Sequence, residues 1–504
     1  MNWPLFQNSL LVALGATALS LLLGTAGALW LLTLGRIGRG MVLAGAVTAF
    51  ALPPFLAANC WLELLGPTGR WLPWLPLPIM SLPGAVWMLA LMHWPITMGF
   101  VWSAWRRVER ETLEIDPLLK GATLWRWILW PTASGAFKAS AAATFVLTLN
   151  QFTIPALLQV KVFPAELWIS FNTTFDYWTA LRLGWPMIAV ALVVLWALSA
   201  GRDPRGSRWQ GRAVSHRLHR ERLGGSLRTV SILLGAAALG FSVLLPLGHL
   251  VLAPLSWKEL LPALEAGKAA LGWSVGLAAG AAALVVGLRL AAASVQWHRR
   301  PACCPPLRDQ EDSGRGRLLH RATGGGACAT VTATAVKLLP WLLFLIPGVV
   351  LGIGLIWALN RPATGWFYDS IGIVLLAWSL RYAAPGWAVI SAALARLDGR
   401  SMELVRMEGG GQWSVFRHAI WPQIAAATAV AAFVVFLFCL WDVEALLLIV
   451  PPGIETLSLR IFNLLHYGHN SQVNALCLIL LCVALAPLLF YAGLRVLLGR
   501  REPA

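Results

Sequence analysis

Leu118-Leu-Lys-Gly121-Ala-Thr-Leu-Trp125-Arg-Trp-Ile-Leu-Trp130-Pro131 and Arg406-Met-Glu-Gly409-Gly-Gly-Gln-Trp413-Ser-Val-Phe416-Arg-His-Ala-Ile-Trp421-Pro422 are one device written twice. Each runs Gly, then Trp, then Trp-Pro, and each lies between long apolar runs. A Gly that can take φ > 0 between two helical pieces makes a compact protrusion. Trp and Phe on it supply the residue types that dominate binding energy at interfaces. A Pro at the far end suits the first turn of a following helix. A polar turn that recurs in so apolar a chain reads as a docking element. The alternative is an interfacial amphipathic helix with Trp at headgroup level, which does not account for matched glycines in two copies.

The surrounding chain is 58% hydrophobic and 12% charged over 504 residues, about half the charged share of a soluble domain. Such a supply cannot build a water-facing surface, so most of the chain faces lipid or other helices. The pattern predicts an all-α integral membrane protein. It has about eleven spans, at 9–34, 41–65, 81–105, 134–158, 184–200, 229–253, 269–294, 335–358, 371–395, 423–449 and 473–499. Lipid offers backbone groups no partner, and a helix satisfies its own. Met1–Asn8 has no basic segment of the secretory type, so the first run is expected to stay as a helix.

Basic residues set the expected orientation. With the N-terminus outside, 28 of the 39 Lys and Arg fall in loops on the cytoplasmic side, against 7 in outer loops. The opposite topology would reverse the usual bias. The net charge of +17 is thus a topology signal, and no nucleic-acid surface is expected. Stretch 201–228 holds eight Arg against two acids and reads as a cytoplasmic linker.

The two flanks of that linker are related. Gly84, Gly121 and Trp125 recur 288 residues later at Gly372, Gly409 and Trp413, while Trp130-Pro131 and Phe145 recur after 291 at Trp421-Pro422 and Phe436. Leu52-Pro53 and Ile346-Pro347 match more loosely. The expected organisation is a first half at 1–200 with its polar loop at 106–131, then the linker 201–228. A reorienting helix and outer loop follow at 229–268, and a second half at 269–504 has its loop at 396–422. The helix 229–253 turns the chain, so two five-helix repeats come out parallel, with the pathway expected between them.

At these residues the chain resembles type I ABC importer permeases, in a fused two-half form similar to ferric iron and thiamine permeases. The family's coupling segment runs roughly E-A-A, three residues, G-A-S, then an apolar stretch closing in L-P. The second copy follows it at Glu403, Gly409, Trp413, Phe416 and Pro422. The first follows it at Gly121, Trp125 and Pro131, but Ile115 takes the Glu position, flanked by Glu114 and Asp116, and the loop is three residues shorter. The resemblance implies a separate cytoplasmic ATPase in two copies, carrying the ATP and magnesium. It also implies a periplasmic solute-binding protein and residence in a bacterial inner membrane, with the C-terminus cytoplasmic. Ferric iron is the expected cargo, with thiamine, polyamines and other small solutes as alternatives. An ion-coupled secondary transporter is the competing class; its inverted repeats would not place both basic loops on one face.

The chain itself shows no phosphate-binding G-x-x-x-x-G-K-[S/T]: none of its six Lys precedes Ser or Thr. Nor does it show H-E-x-x-H or G-x-S-x-G, so no catalytic residue, cofactor or metal is assigned to it. Cys303, Cys304 and Cys328, near His298 and His320, lack zinc-site spacing. Polar residues inside spans are the remaining candidates. Gln151 and Asp442 are register equivalents after each polar loop, Glu444 is beside the latter, and His93 and Arg381 are equivalents before each loop. They either line a pathway, or make interhelical hydrogen bonds, or sit at the outer water interface.

Overall fold

The computed structural model describes residues 3–75, 77–106, 108, 113, 119–200, 216–298, 338–467 and 470–497. These are helices and connecting turns with no strand among them. Among the described residues, seven helices are long and apolar enough to cross a membrane, or ten if each of three bent pairs is one span. This differs from eleven unbroken spans, and the reasons are local.

The expected span 41–65 is two helices, Arg36–Ala51 and Pro54–Leu65, meeting at 90°. The expected span 335–358 breaks likewise at Ile346-Pro347, where Leu338–Leu345 and Gly348–Leu359 meet at 110°. A Pro removes one backbone donor and pushes its predecessor out of the helical region. Each helix after the break then starts at or beside that Pro, where its missing N–H is harmless. Tyr177–Leu183 and Trp185–Ala197 form the third bent pair, at 46°. The expected span 134–158 is the helix Trp130–Asn150, which stops at Gln151. Lys138 and the hydroxyls of Thr132, Ser134, Ser140, Thr144 and Thr148 make it too polar to count among the seven.

The order of elements recurs. Trp3–Thr33, a bent pair, Leu82–Trp105, Trp130–Asn150 and a final helix from Trp185 are echoed by Leu260–His298, a bent pair, Ile371–Leu394, Trp421–Trp441 and Asn470–Leu497. Ser81 and Ser370 cap the corresponding third members by accepting from Gly84 N and Gly372 N. Gly225–Leu252 stands between the two sets and is tied to the first by Trp94 Nε1 donating to Ser242 Oγ at 3.1 Å. Trp3–Thr33 lies close along Leu82–Trp105: a Cβ on Gly24 would stand 2.6 Å from Trp94 O. Without a hydrophobic drive between helices in lipid, such small-residue approaches supply the packing contacts.

Candidate functional site

The twin turns keep their glycines at positive φ, Gly121 at 54° and Gly409 at 78°. They are held differently. The Gly409 amide donates to Arg406 O in its own loop, while the Gly121 amide donates 2.9 Å to Arg222 O, in the linker helix His216–Arg222. The adjoining Leu223 is fully buried. Glu114 and Asp116 lie outside the described residues, as do 201–215, the loop 299–337 with Cys303, Cys304, Cys328 and His320, and the residues after 497.

Beyond each Gly the chain does not form a second short helix that stops and restarts at Pro. It enters the next long helix without a break, through a π-helical turn: Trp125–Leu129 before Pro131 and Val415–Ile420 before Pro422. A third π turn among the described residues, Gly240–Leu244, also ends two residues before a Pro, Pro246. In an α-helix the Pro ring would clash with the carbonyl four residues back. Widening one turn, so that Trp130 N–H reaches Trp125 O and Trp421 N–H reaches Phe416 O, relieves that clash. Aromatic contacts flank both π turns beside the glycines. Trp130, just after the first, stacks on Phe137 at 4.9 Å, and Trp413, just before the second, stacks on Phe416 at 5.6 Å.

The second turn is presented by the helix Gly399–Met407, capped by Asp398. Glu403 is exposed on it, and so are Leu404 (61%), Met407 (84%) and the nearby Trp413 (70%). Three large apolar side chains are thus exposed at or near this turn. Gln423, which carries no motif signal, braces it: its Oε1 accepts from Asp398 N at 3.1 Å and its Nε2 donates to Ser401 Oγ at 2.9 Å.

The five polar candidates His93, Gln151, Arg381, Asp442 and Glu444 all line one cavity of about 80 Å³. The two breaks that carry Gln151 and Asp442 have matching backbones, φ −71°, ψ 116° and φ −73°, ψ 116°. The pairs have diverged chemically. His93 meets Thr148 Oγ1 through Nδ1 at 3.3 Å. Its equivalent Arg381 donates to Glu444 Oε2 at 2.6 Å and to Asp442 Oδ1 at 3.3 Å. Glu444 Oε1 also accepts from Phe152 N at 3.2 Å, 292 residues away in sequence. Asn150 Nδ2 donates to Leu345 O at 3.0 Å, 195 residues away. Asn150, Phe152 and Gly348 were invisible as site residues: an amide at a helix end and a bare glycine carry no pattern. Arg381 reaches its carboxylates only because Gly348 has no side chain, since a Cβ there would overlap Arg381 Nη1.

The long apolar helices and bent apolar pairs among the described residues define a multi-pass membrane protein. No family profile matches the chain. Over 466 residues it is 20% identical to an Fe(3+)-transport system permease protein of Haemophilus influenzae, covering 91% of this chain and 83% of that one. A putative 2-aminoethylphosphonate transport system permease of Salmonella typhimurium is 26% identical over 140 residues, 28% of this chain and 52% of that protein. The spermidine/putrescine transport system permease of Escherichia coli is 29% identical over 121 residues, 23% of this chain and 46% of that protein. The chain is thus similar to ABC-type importer permeases, in a fused form resembling a ferric iron permease. These relatives are transport permease subunits, not enzymes.

Proposed function

We propose that this chain is the fused permease of an ATP-driven importer in a bacterial inner membrane. Its Gly121 and Gly409 turns seat two copies of a cytoplasmic ATPase, which binds the ATP and magnesium. A periplasmic solute-binding protein delivers cargo at the opposite face, and the N-terminus lies outside. The observation that carries this reading is the paired turn. Two positive-φ glycines, each followed by a π turn into a membrane helix, stand at corresponding places in the chain. The exposed Leu404, Met407 and Trp413 give the second turn an apolar contact face. The central cavity, bridged by both halves, is the pathway in its closed form. Ferric iron is the first cargo to test, because the relative named for it matches along most of both chains; phosphonate and polyamine cargoes follow from the shorter matches.

The test is copurification of a co-expressed ATPase with full-length chain carrying Leu404→Asp and Met407→Asp. Charges placed on a buried apolar contact should cut recovered ATPase at least tenfold while membrane insertion is unchanged. Equal recovery from the variant and the parent would reject the seat. ATP-dependent uptake of ferric citrate into proteoliposomes holding all three components tests the cargo.

A further inference from the structure

We propose that linker residues 219–224 are a positioning clamp on the Gly121 turn, so that the two ATPase seats differ mechanically. The first moves together with the linker, and the second moves without it. The inference rests on the permease reading and concerns how its seats work. Two glycines make the contact. Gly121 takes φ 54°, ψ −121° and Gly224 takes φ 74°, ψ 163°. Side chains disfavour both settings, and the second is one that glycine alone takes routinely. The two turns touch: a Cβ on Gly224 would stand 3.6 Å from Gly121 Cα, and a Cβ on Gly121 would stand 3.7 Å from Leu223 O. Arg222 O lies in the last turn of the helix His216–Arg222, where carbonyls lack an intrahelical donor. The Gly121 amide supplies that donor at 2.9 Å. Gly121 itself stands just before Ala122–Leu124, so the negative end of one helix meets the positive start of another. Burial fixes the segment in place: Leu223 is fully buried and His219 is 4% exposed.

The second turn is self-contained. Gly409 is exposed, and a Cβ on it would meet no atom within 4 Å. Its amide donates to Arg406 O at 3.0 Å, and the Gly410 amide donates to Val405 O at 2.9 Å. Among the described residues, the backbone hydrogen bonds of these two amides thus stay within their own loop. The clamp on the first turn has an onward connection. Gly224 O accepts from Arg228 N at 3.3 Å, so the clamp leads directly into Gly225–Leu252. That helix lies close on Trp3–Thr33, where a Cβ on Gly235 would stand 2.9 Å from the Trp30 ring and 3.4 Å from Gly27 Cα. Trp94 ties it to Leu82–Trp105 through Ser242. Closely packed helices shift as units instead of deforming. A push on the first turn is therefore shared between Trp130–Asn150 and Gly225–Leu252. A push on the second passes through its own loop into Trp421–Trp441.

The experiment is amide hydrogen exchange of the full-length chain in phosphatidylcholine nanodiscs, alone and with a co-expressed ATPase trapped by ATP and vanadate. In the chain alone, Leu223→Ala and Gly224→Val should each raise exchange at residues 119–125 roughly tenfold and leave residues 407–413 unchanged. Leu223→Met, which keeps the buried volume, should exchange like the parent. With the ATPase bound, nucleotide should change exchange at 119–125 and at 219–228 together in the parent, by about threefold. In Leu223→Ala the response at 219–228 should vanish while that at 119–125 remains, a loss that a merely structural anchor would not cause. Thermal melting shows whether the two disruptive variants fold; if they do not, the parent's paired nucleotide response and Leu223→Met decide. First-turn exchange indifferent to residues 223 and 224, equal loosening of both turns, or a linker that ignores nucleotide while the first turn responds would each overturn the clamp. ATPase retention by the parent is read in parallel. Retention with an indifferent first turn removes the clamp and leaves the permease reading standing, whereas no retention removes the seats and the clamp's role together.

Discussion

Gly348→Ala isolates the buried ion triad with a single methyl group. Gly348 starts the helix after the Ile346-Pro347 break, and a Cβ there would overlap Arg381 Nη1 and come to 3.0 Å from Glu444 Cβ. The guanidinium must withdraw by roughly 2 Å to regain van der Waals separation. That movement takes the 2.6 Å bond to Glu444 and the 3.3 Å bond to Asp442 out of hydrogen-bonding range. Two carboxylates would then sit at 5% and 4% exposure without their counter-charge. Breaking a buried pair in this way costs about 3–5 kcal/mol, or roughly two to four decades in the folding equilibrium. The assay is thermal melting of the purified chain followed by fluorescence-detected gel filtration. The control is the same substitution in a neutral background carrying Arg381→Met, Asp442→Asn and Glu444→Gln. There the methyl group should be nearly harmless, because Met can swing away and no charge is stranded. A variant that melts with the parent would refute the reasoning, and so would equal damage in the two backgrounds.

Two further outcomes are expected. Gly121→Val with Gly409→Val forces side chains into φ of 54° and 78°; no atom lies within 4 Å of a Cβ at Gly409, so backbone strain of about 1–2 kcal/mol is the whole cost there. Insertion should survive while ATPase association and uptake fall, and unchanged uptake would reject the coupling role. Cysteines placed at Thr68 and Ser207 should be reached by an impermeant thiol reagent from outside and from inside respectively; labelling of Ser207→Cys in intact spheroplasts would overturn the orientation.

Membrane character, the recurrent order of helices and the two turn glycines were legible in the sequence because each is a local signal. Apolar runs follow from composition, and a turn between helical pieces that calls for φ > 0 selects Gly at Gly121 and Gly409 wherever the rest of the chain goes. Leu52-Pro53 and Ile346-Pro347 were visible as a repeat. Their 90° and 110° bends were not, because a membrane helix often tolerates Pro and neighbouring helices decide whether it bends or breaks. The three π turns among the described residues end two residues before Pro131, Pro246 and Pro422, a spacing that only the hydrogen-bonding pattern exposes. His93, Gln151, Arg381, Asp442 and Glu444 could be named from hydropathy alone. That they surround one cavity, and that Arg381 joins Asp442 and Glu444 across 61 and 63 residues, depends on how helices approach. The partners they recruit, Asn150, Phe152 and Gly348, act through an amide, a backbone N–H and a missing side chain. None of these has a periodicity or a motif, so tertiary packing alone assigned them.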